Sequence, residues 1–406
     1  MTKARVVRKE GPMGHAVNDC FSVARLMFVI IIVATLPSCV LAQEVVPRLA
    51  TAEAFDTIVG LAISPDNGKL IVGNMNGSIE VLKLPLGEKL RVLRGPKYLW
   101  GLTLSPNGDI LAGFRIDRPD VFLYDTKNWT SLTPISIGDM RIWQVAFLPD
   151  GRSLAVRGCR LIPGDIHNVD GDSTVRIWDI TCRKTVTEIS GHNVGLGDVV
   201  FSPDGKTLAM ATGSLSPQTP QDCFDDIRYW NVHTGTVARQ RIETRQEDIR
   251  CLAFLSDGKR LVSAGNEDNE DSDNGNYHNV TIRIWDVATG TLMQTLKGHG
   301  SHVCALIPFS DEMLISGSSD GTIRLWDLRT SKEIGKVDMG PANCRADGSI
   351  RSSITHLSLS TNREYLACSM SLTDLRIWRL SDAFPLVVRK KSDTRDNPKP
   401  ITVKSR

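Results

Sequence analysis

The chain has 406 residues, with 48 Lys and Arg against 46 Asp and Glu and a formal net charge of +2. So even a balance excludes a dominant nucleic-acid-binding activity, which needs a broad basic excess to neutralise phosphates, and the length allows a large core plus an N-terminal extension. The nine cysteines are compatible with either redox compartment.

Residues 1–42 read as a leader with a signal peptide or membrane anchor. Lys3, Arg5, Arg8, Lys9 and Arg25 precede the apolar run 26–36, after which Pro37, Ser38 and Cys39 lead to Val40 and Ala42. A positive flank, an apolar core of eleven residues and small residues near its end fit a secretory signal cut after Ala42. Extending the run to Ala42 gives about seventeen residues, the lower edge of a membrane span, so an uncleaved anchor is an alternative. Leu36-Pro37-Ser38-Cys39 also resembles a bacterial lipoprotein box, with an atypical Pro in its second place. All three readings export the remainder; a cytoplasmic protein whose N-terminus only resembles a leader stays open.

From residue 43 onward one pattern repeats. An apolar run closed by a polar turn recurs at 61–66, 102–108, 145–151, 199–205 and 252–258, with weaker copies at 303–311 and 354–362. Pro or Ser followed by Asp-Gly or Asn-Gly accepts tight turn geometry, so each phrase predicts a strand entering a hairpin. Downstream come TVRIWD, DIRYWN, TIRIWD, TIRLWD and DLRIWR, whose Trp178, Trp230, Trp285, Trp326 and Trp378 stand 41 to 55 residues apart. Each unit predicts four strands, the second exemplified by 260–264 and the fourth by 292–296. The strands are apolar on both faces, which favours small sheets packed between neighbours. No 3.6-residue period is sustained outside the N-terminus, so the body is expected to be all-β.

These phrases resemble the WD-repeat (WD40) family. The resemblance implies a seven-bladed β-propeller of four-stranded antiparallel blades over residues 43–388; the polar, mixed-charge, Pro-containing composition of 389–406 predicts a disordered tail. In that family a Gly-His, a Ser or Thr, an Asp and the Trp form a hydrogen-bonded set within a blade. Gly298-His299, Ser316, Asp320 and Trp326 match it in full. Elsewhere it decays: Gly191-His192 goes with a displaced Asp225 or Asp226, Asp172 lacks the His, and Asn279 stands where Asp is expected. Leu82 and Tyr124 replace the first two tryptophans. Losing the set together is more coherent than leaving buried polar groups half partnered. Either 45–49 or 385–388 fits the strand that closes the ring.

Long insertions at 158–172, 213–226, 265–279 and 338–352 all emerge on one face, where binding residues concentrate on a rigid scaffold. Aligning the innermost strands puts Val59, Trp100, Trp143, Gly197, Arg250, Cys304 and Thr355 at one rim position on that face. The resemblance implies partner contacts there, and Trp and Arg are enriched at interface hot spots. Trp100, Trp143 and Arg250 are therefore the candidate partner-binding residues; the alternative is that both tryptophans merely plug the mouth.

Other constellations carry less. The acidic loop 266–276 has oxygen ligands enough for calcium but lacks the Asp-x-Asp-x-Asp-Gly spacing, so a solvated loop is the simpler reading. Cys159 and Cys223 sit in loops of consecutive units, where export would permit a disulfide and free thiols are the alternative. Gly317-Ser318-Ser319-Asp320-Gly321 has a hydrolase-like pattern but no strand-to-helix elbow. The histidines show no metal-ligand spacing. The sequence therefore predicts no catalytic residue, metal or cofactor. It predicts a monomeric, non-enzymatic scaffold, exported or envelope-tethered, that binds a protein or peptide, with membrane contact only through the N-terminal segment. An extracytoplasmic enzyme or ligand-binding propeller using the central funnel, and a cytoplasmic scaffold, are the alternatives.

Overall fold

The computed structural model describes residues 50–51, 57–115, 117–162, 165–193, 198–212, 225–267, 280–339, 353–370 and 374–385. The chain divides into Met1–Val45 and Val46–Arg406, and every described residue belongs to the second unit. The predicted leader, the segment 45–49, the tail 389–406, Cys223, Gly197 and the acidic loop beyond Glu267 lie outside the described residues.

In chain order the strands are β1 (Ala50–Thr51), β2 (Ile58–Ile63), β3 (Lys69–Asn74), β4 (Ser78–Lys83), β5 (Glu88–Arg94), β6 (Leu99–Leu104), β7 (Ile110–Arg115), β8 (Asp120–Asp125) and β9 (Thr130–Ser136). There follow β10 (Met140–Phe147), β11 (Ser153–Ile162), β12 (Asp165–Asp179), β13 (Lys184–Asn193), β14 (Val199–Phe201), β15 (Thr207–Thr212), β16 (Asp225–Asn231) and β17 (Val237–Phe254). The last are β18 (Arg260–Glu267), β19 (Val280–Asp286), β20 (Leu292–Lys297), β21 (Val303–Ser310), β22 (Met313–Ser318), β23 (Thr322–Asp327), β24 (Lys332–Asp338), β25 (Ile354–Leu359), β26 (Tyr365–Met370) and β27 (Asp374–Arg379), before a single-turn helix, α1 (Leu380–Ala383).

The described residues are all-β apart from that turn. Four-stranded sheets run β2-β3-β4-β5, β6-β7-β8-β9, β10-β11-β12-β13, β21-β22-β23-β24 and β1-β27-β26-β25, and a seven-stranded sheet runs from β14 to β20. The seven-stranded sheet arises because β17 serves two partners. Its first part pairs with β16 (Trp230↔Val237 to Asp225↔Gln246) and its second with β18 (Gln246↔Glu267 to Phe254↔Leu261). Arg245 and Asp248 take left-handed φ of 49° and 51° where the partner changes, which redirects the backbone without breaking the ladder.

One register recurs throughout. Leu154, Leu208, Leu261, Leu314 and Leu366 stand opposite Trp178, Trp230, Trp285, Trp326 and Trp378. Leu70 faces Leu82 and Leu111 faces Tyr124 in the same way. All seven leucines are fully buried. Register is fixed this firmly because a one-residue slip would turn the leucine to the opposite face.

The core lies between sheets. Ile79 and Val59 pack with Leu99 and Tyr124, whereas Leu70 and Leu82 of the same sheet pack with Leu375 and Ile377 of the last sheet. Each buried aliphatic side chain contributes about 1.5–3 kcal/mol, and a sheet used on both faces explains strands apolar on both faces. Innermost strands touch in sequence: β2 with β6, β6 with β10, β10 with β14, β14 with β17, β17 with β21, β21 with β25, and β25 with β2.

The predicted turns form as the residues suggest. Ser105 Oγ lies 2.7 Å from Asn107 Oδ1, and Gly108 takes φ +78° with its Cα against Pro65, where a Cβ would sit 2.7 Å from Pro65 Cδ. Two expectations change. The stretch 158–172 is not an open loop: β11 and β12 extend into it as a hairpin, with Leu161↔Val169 and Ile162↔Asp165. At the closing edge, β1 pairs with β27 (Ala50↔Ile377, Thr51↔Arg376), just beyond 45–49. The chain after β27 instead turns into α1, whose Leu380 and Ala383 enter the core with Phe384.

Candidate functional site

The rim residues share one backbone feature. The β10–β11 ladder shifts register between Ile142 and Gln144, skipping Trp143, and the innermost strands β2, β6, β21 and β25 skip Val59, Trp100, Cys304 and Thr355 in the same way. In β17 the shift spans Glu247 to Cys251 and includes Arg250. A bulge bends its strand and re-aims the extra side chain, so the fold gives this position a separate direction in β2, β6, β10, β17, β21 and β25.

Trp100 and Trp143 occupy equivalent bulges on touching strands, and both are half-buried. Trp100 packs against the cluster containing Ile142 and Val145. Trp143 donates its indole N–H to Cys159 Sγ at 3.3 Å, and the Arg141 guanidinium carbon lies 5.1 Å from its ring centroid, within cation–π range. Cys159 is buried; the predicted Cys159–Cys223 pairing falls on a residue outside the described set.

Arg250 stands apart from the tryptophan pair, with β14 between. It gives Asp248 Oδ2 two hydrogen-bond contacts, Nε at 2.8 Å and Nη2 at 2.7 Å, and His302 Nδ1 lies 3.6 Å from the same oxygen. Burial disfavours the Arg250 charge, but Asp248 outweighs it and raises the guanidinium pKa. Its charge is therefore already answered within the chain.

Beneath the rim, Asp198 joins three inner strands. Gln144 Nε2 donates to Asp198 Oδ1, the Leu252 N–H donates to Oδ2 at 3.2 Å, and Val199 N–H donates to Gln144 Oε1 at 3.1 Å. Surrounding protein pushes the Asp198 carboxyl up despite these bonds. Sequence reasoning missed this network, although Gln144 and Asp198 directly follow the aligned rim residues.

The polar set of the Trp326 sheet is complete. Trp326 Nε1 donates to Ser316 Oγ at 2.8 Å, Ser316 Oγ lies 2.7 Å from His299 Nε2, and His299 Nδ1 lies 2.8 Å from Asp320 Oδ2. The donor order assigns the proton of neutral His299 to Nδ1 and leaves Nε2 to accept from Ser316. Burial disfavours the imidazolium and lowers the His299 pKa, against the raising influence of Asp320. Burial pushes Asp320 up, but the His299, Thr322 and Gly300 hydrogen bonds outweigh it and hold the carboxyl well below the usual range.

The neighbouring sheet has not lost its set; it has exchanged the histidine. Trp285 Nε1 donates to Ser263 Oγ at 2.9 Å, Ser263 Oγ donates to Gln246 Oε1 at 2.6 Å, and Gln246 Nε2 donates to Thr281 O and Oγ1 at 3.0 and 3.1 Å. An amide supplies one acceptor and one donor side, as neutral imidazole does. In the Trp178 sheet the set is incomplete, and Trp178 Nε1 is buried without a hydrogen-bond partner.

This contrast predicts a pH effect. Because folded His299 titrates below its ordinary value of 6.5, its stabilisation is complete above that pH and is lost as pH falls through the folded value; Asp320 adds a second loss below 3.8. His299→Gln, copying Gln246, is expected to flatten the decline in urea midpoint between about pH 7 and 5. His299→Ala is expected to cost about 1–3 kcal/mol at pH 7.5. A Gln variant with the wild-type pH slope would contradict this assignment.

Among the described residues no group of three or more His, Cys, Asp or Glu side chains could hold a metal ion. What the geometry defines is an all-β repeat scaffold carrying a rim of re-aimed side chains. The family described as WD domain, G-beta repeat matches residues 183–216 and 290–327. The chain is similar to nuclear distribution protein PAC1 of Arthroderma otae (26% identical, covering 70% of this chain and 61% of that protein). It is also similar to the guanine nucleotide-binding protein subunit beta of Solanum tuberosum (23%, covering 79% and 80%) and to the anaphase-promoting complex subunit cdc20 of Dictyostelium discoideum (24%, covering 74% and 47%). The chain spans about three fifths of the length of the PAC1 relatives it matches.

Proposed function

We propose that the chain is a non-enzymatic protein-interaction scaffold, a seven-bladed β-propeller that grips a protein or peptide on its bulged rim. Counting β17 as the outer strand of one blade and the inner strand of the next makes seven four-stranded blades of the sheets, and the cycle of inner-strand contacts supports a closed ring. The observation that carries the functional reading is the bulge shared by the rim positions, which places Trp100 and Trp143 side by side on rigid strands. Side chains fixed in advance lose little conformational entropy on binding. Two relatives are named as subunits of larger assemblies, which agrees with a scaffold.

The same relatives favour a cytoplasmic scaffold over an exported one. The composition of residues 1–42 supports export as the second reading, and N-terminal sequencing of the mature protein separates them: a start at Gln43 selects export. Binding is tested by affinity capture with wild type and with Trp100→Ala/Trp143→Ala. The double variant is expected to keep its fold by circular dichroism and lose its principal partners by tenfold or more, since a central interface tryptophan contributes about 2 kcal/mol or above. An unchanged partner set removes the rim from consideration.

A further inference from the structure

We infer that Arg141 and Trp143 form a subsite for an acidic side chain of the partner, so that the bound segment is an acidic peptide; this rests on the rim reading above. Arg141 lies two residues before Trp143 and places its guanidinium over that ring at 5.1 Å. Stacking on a ring holds the planar fork in one orientation. Asp139, two residues before Arg141 in the chain, is already paired, 3.3 Å from Arg160 and 3.4 Å from Arg176. Arg176 also lies 3.0 Å from Glu188, and Arg115 pairs with Asp117.

No described carboxylate lies within ion-pair distance of Arg141, and its Nε is buried without an acceptor. An arginine kept on an aromatic face, with no described carboxylate paired to its terminal Nη groups, is arranged for an anion that arrives with the partner. Arg250, by contrast, is closed by Asp248 at 2.7 Å. The sequence-level candidate arginine is therefore the occupied one, and the arginine it passed over is the available one. A carboxylate seated on the terminal Nη groups receives two charge-assisted hydrogen bonds while its methylene stem lies on the neighbouring indole.

The test uses the full chain and two fluorescein-labelled probes, hexaglutamate and hexalysine, read by fluorescence anisotropy. Hexaglutamate is expected to bind saturably and more weakly as salt rises, and hexalysine not to bind. Arg141→Gln is expected to weaken hexaglutamate binding by about tenfold to a hundredfold, Arg141→Lys by less, and Arg250→Gln hardly at all. Matching melting curves guard against loss of fold. Absence of hexaglutamate binding, or equal binding by wild type and Arg141→Gln, overturns the acidic-peptide inference. If the tryptophan double variant still loses its captured partners in that case, the rim reading survives; if neither variant changes anything, both fall.

Discussion

Gly158→Ala is expected to destabilise the protein by about 3 kcal/mol and to weaken whatever binds at Trp143. A Cβ at this position would lie 2.1 Å from the carbonyl oxygen of Arg141 and 3.1 Å from Met140 Cγ. The first contact is with backbone, so no side-chain rotation relieves it, and β10 must shift. Gly158 faces Ile142, the residue just before the bulge, so the shift falls on the segment that aims Arg141 and Trp143. Overpacking costs of about 1–3 kcal/mol apply when side chains can yield, and a rigid neighbour places this variant at the upper end. Urea unfolding measures the loss, and affinity capture of the partners lost by Trp143→Ala measures the rim. A variant of wild-type stability would mean that the β10–β11 approach is looser than the structure describes.

Ser316→Ala carries the other large effect. One hydroxyl receives the Trp326 indole N–H and faces His299 Nε2, and Ser316 is fully buried, with Trp326 and His299 exposed by 2% and 5%. Removing it strands two buried polar groups at about 1–3 kcal/mol each, so a loss of about 2–6 kcal/mol is expected. Ser263→Ala should behave alike, because Ser263 bridges Trp285 and Gln246 at 2.9 and 2.6 Å. Chemical denaturation of both variants checks the pair. A loss in Ser316→Ala as small as that of an ordinary surface substitution, within about 0.5 kcal/mol, would remove the hydroxyl from its bridging role.

Much of this architecture is written locally. The Pro-Asp-Gly and Pro-Asn-Gly turns, the apolar runs and the recurring tryptophans each depend on neighbours within a few residues, and the leucine–tryptophan register follows from them. The His299 set is legible for the same reason. The role of Gln246 could have been found: it stands three residues before Ile249, much as His299 stands four before Val303, and an amide answers the same hydrogen bonds.

The rim was legible as a set of positions, not as chemistry. Alignment finds Trp100, Trp143 and Arg250, but no local pattern says that Arg250 is bound by Asp248 or that Asp139, two residues before Arg141, serves Arg160 and Arg176 instead. The joining of β10, β14 and β17 through Asp198 is equally invisible in the chain order.

What the sequence alone determined is the repeated strand, turn and strand pattern, the all-β class and the positions available for a rim, because these rest on residue-by-residue sterics and periodicity. What only the tertiary structure decided is that β1 closes the last sheet, that bulges re-aim the rim side chains, and which arginine keeps its charge for a partner. Those outcomes depend on edges and charges that meet in space after being far apart along the chain, and neither periodicity nor propensity reaches that distance.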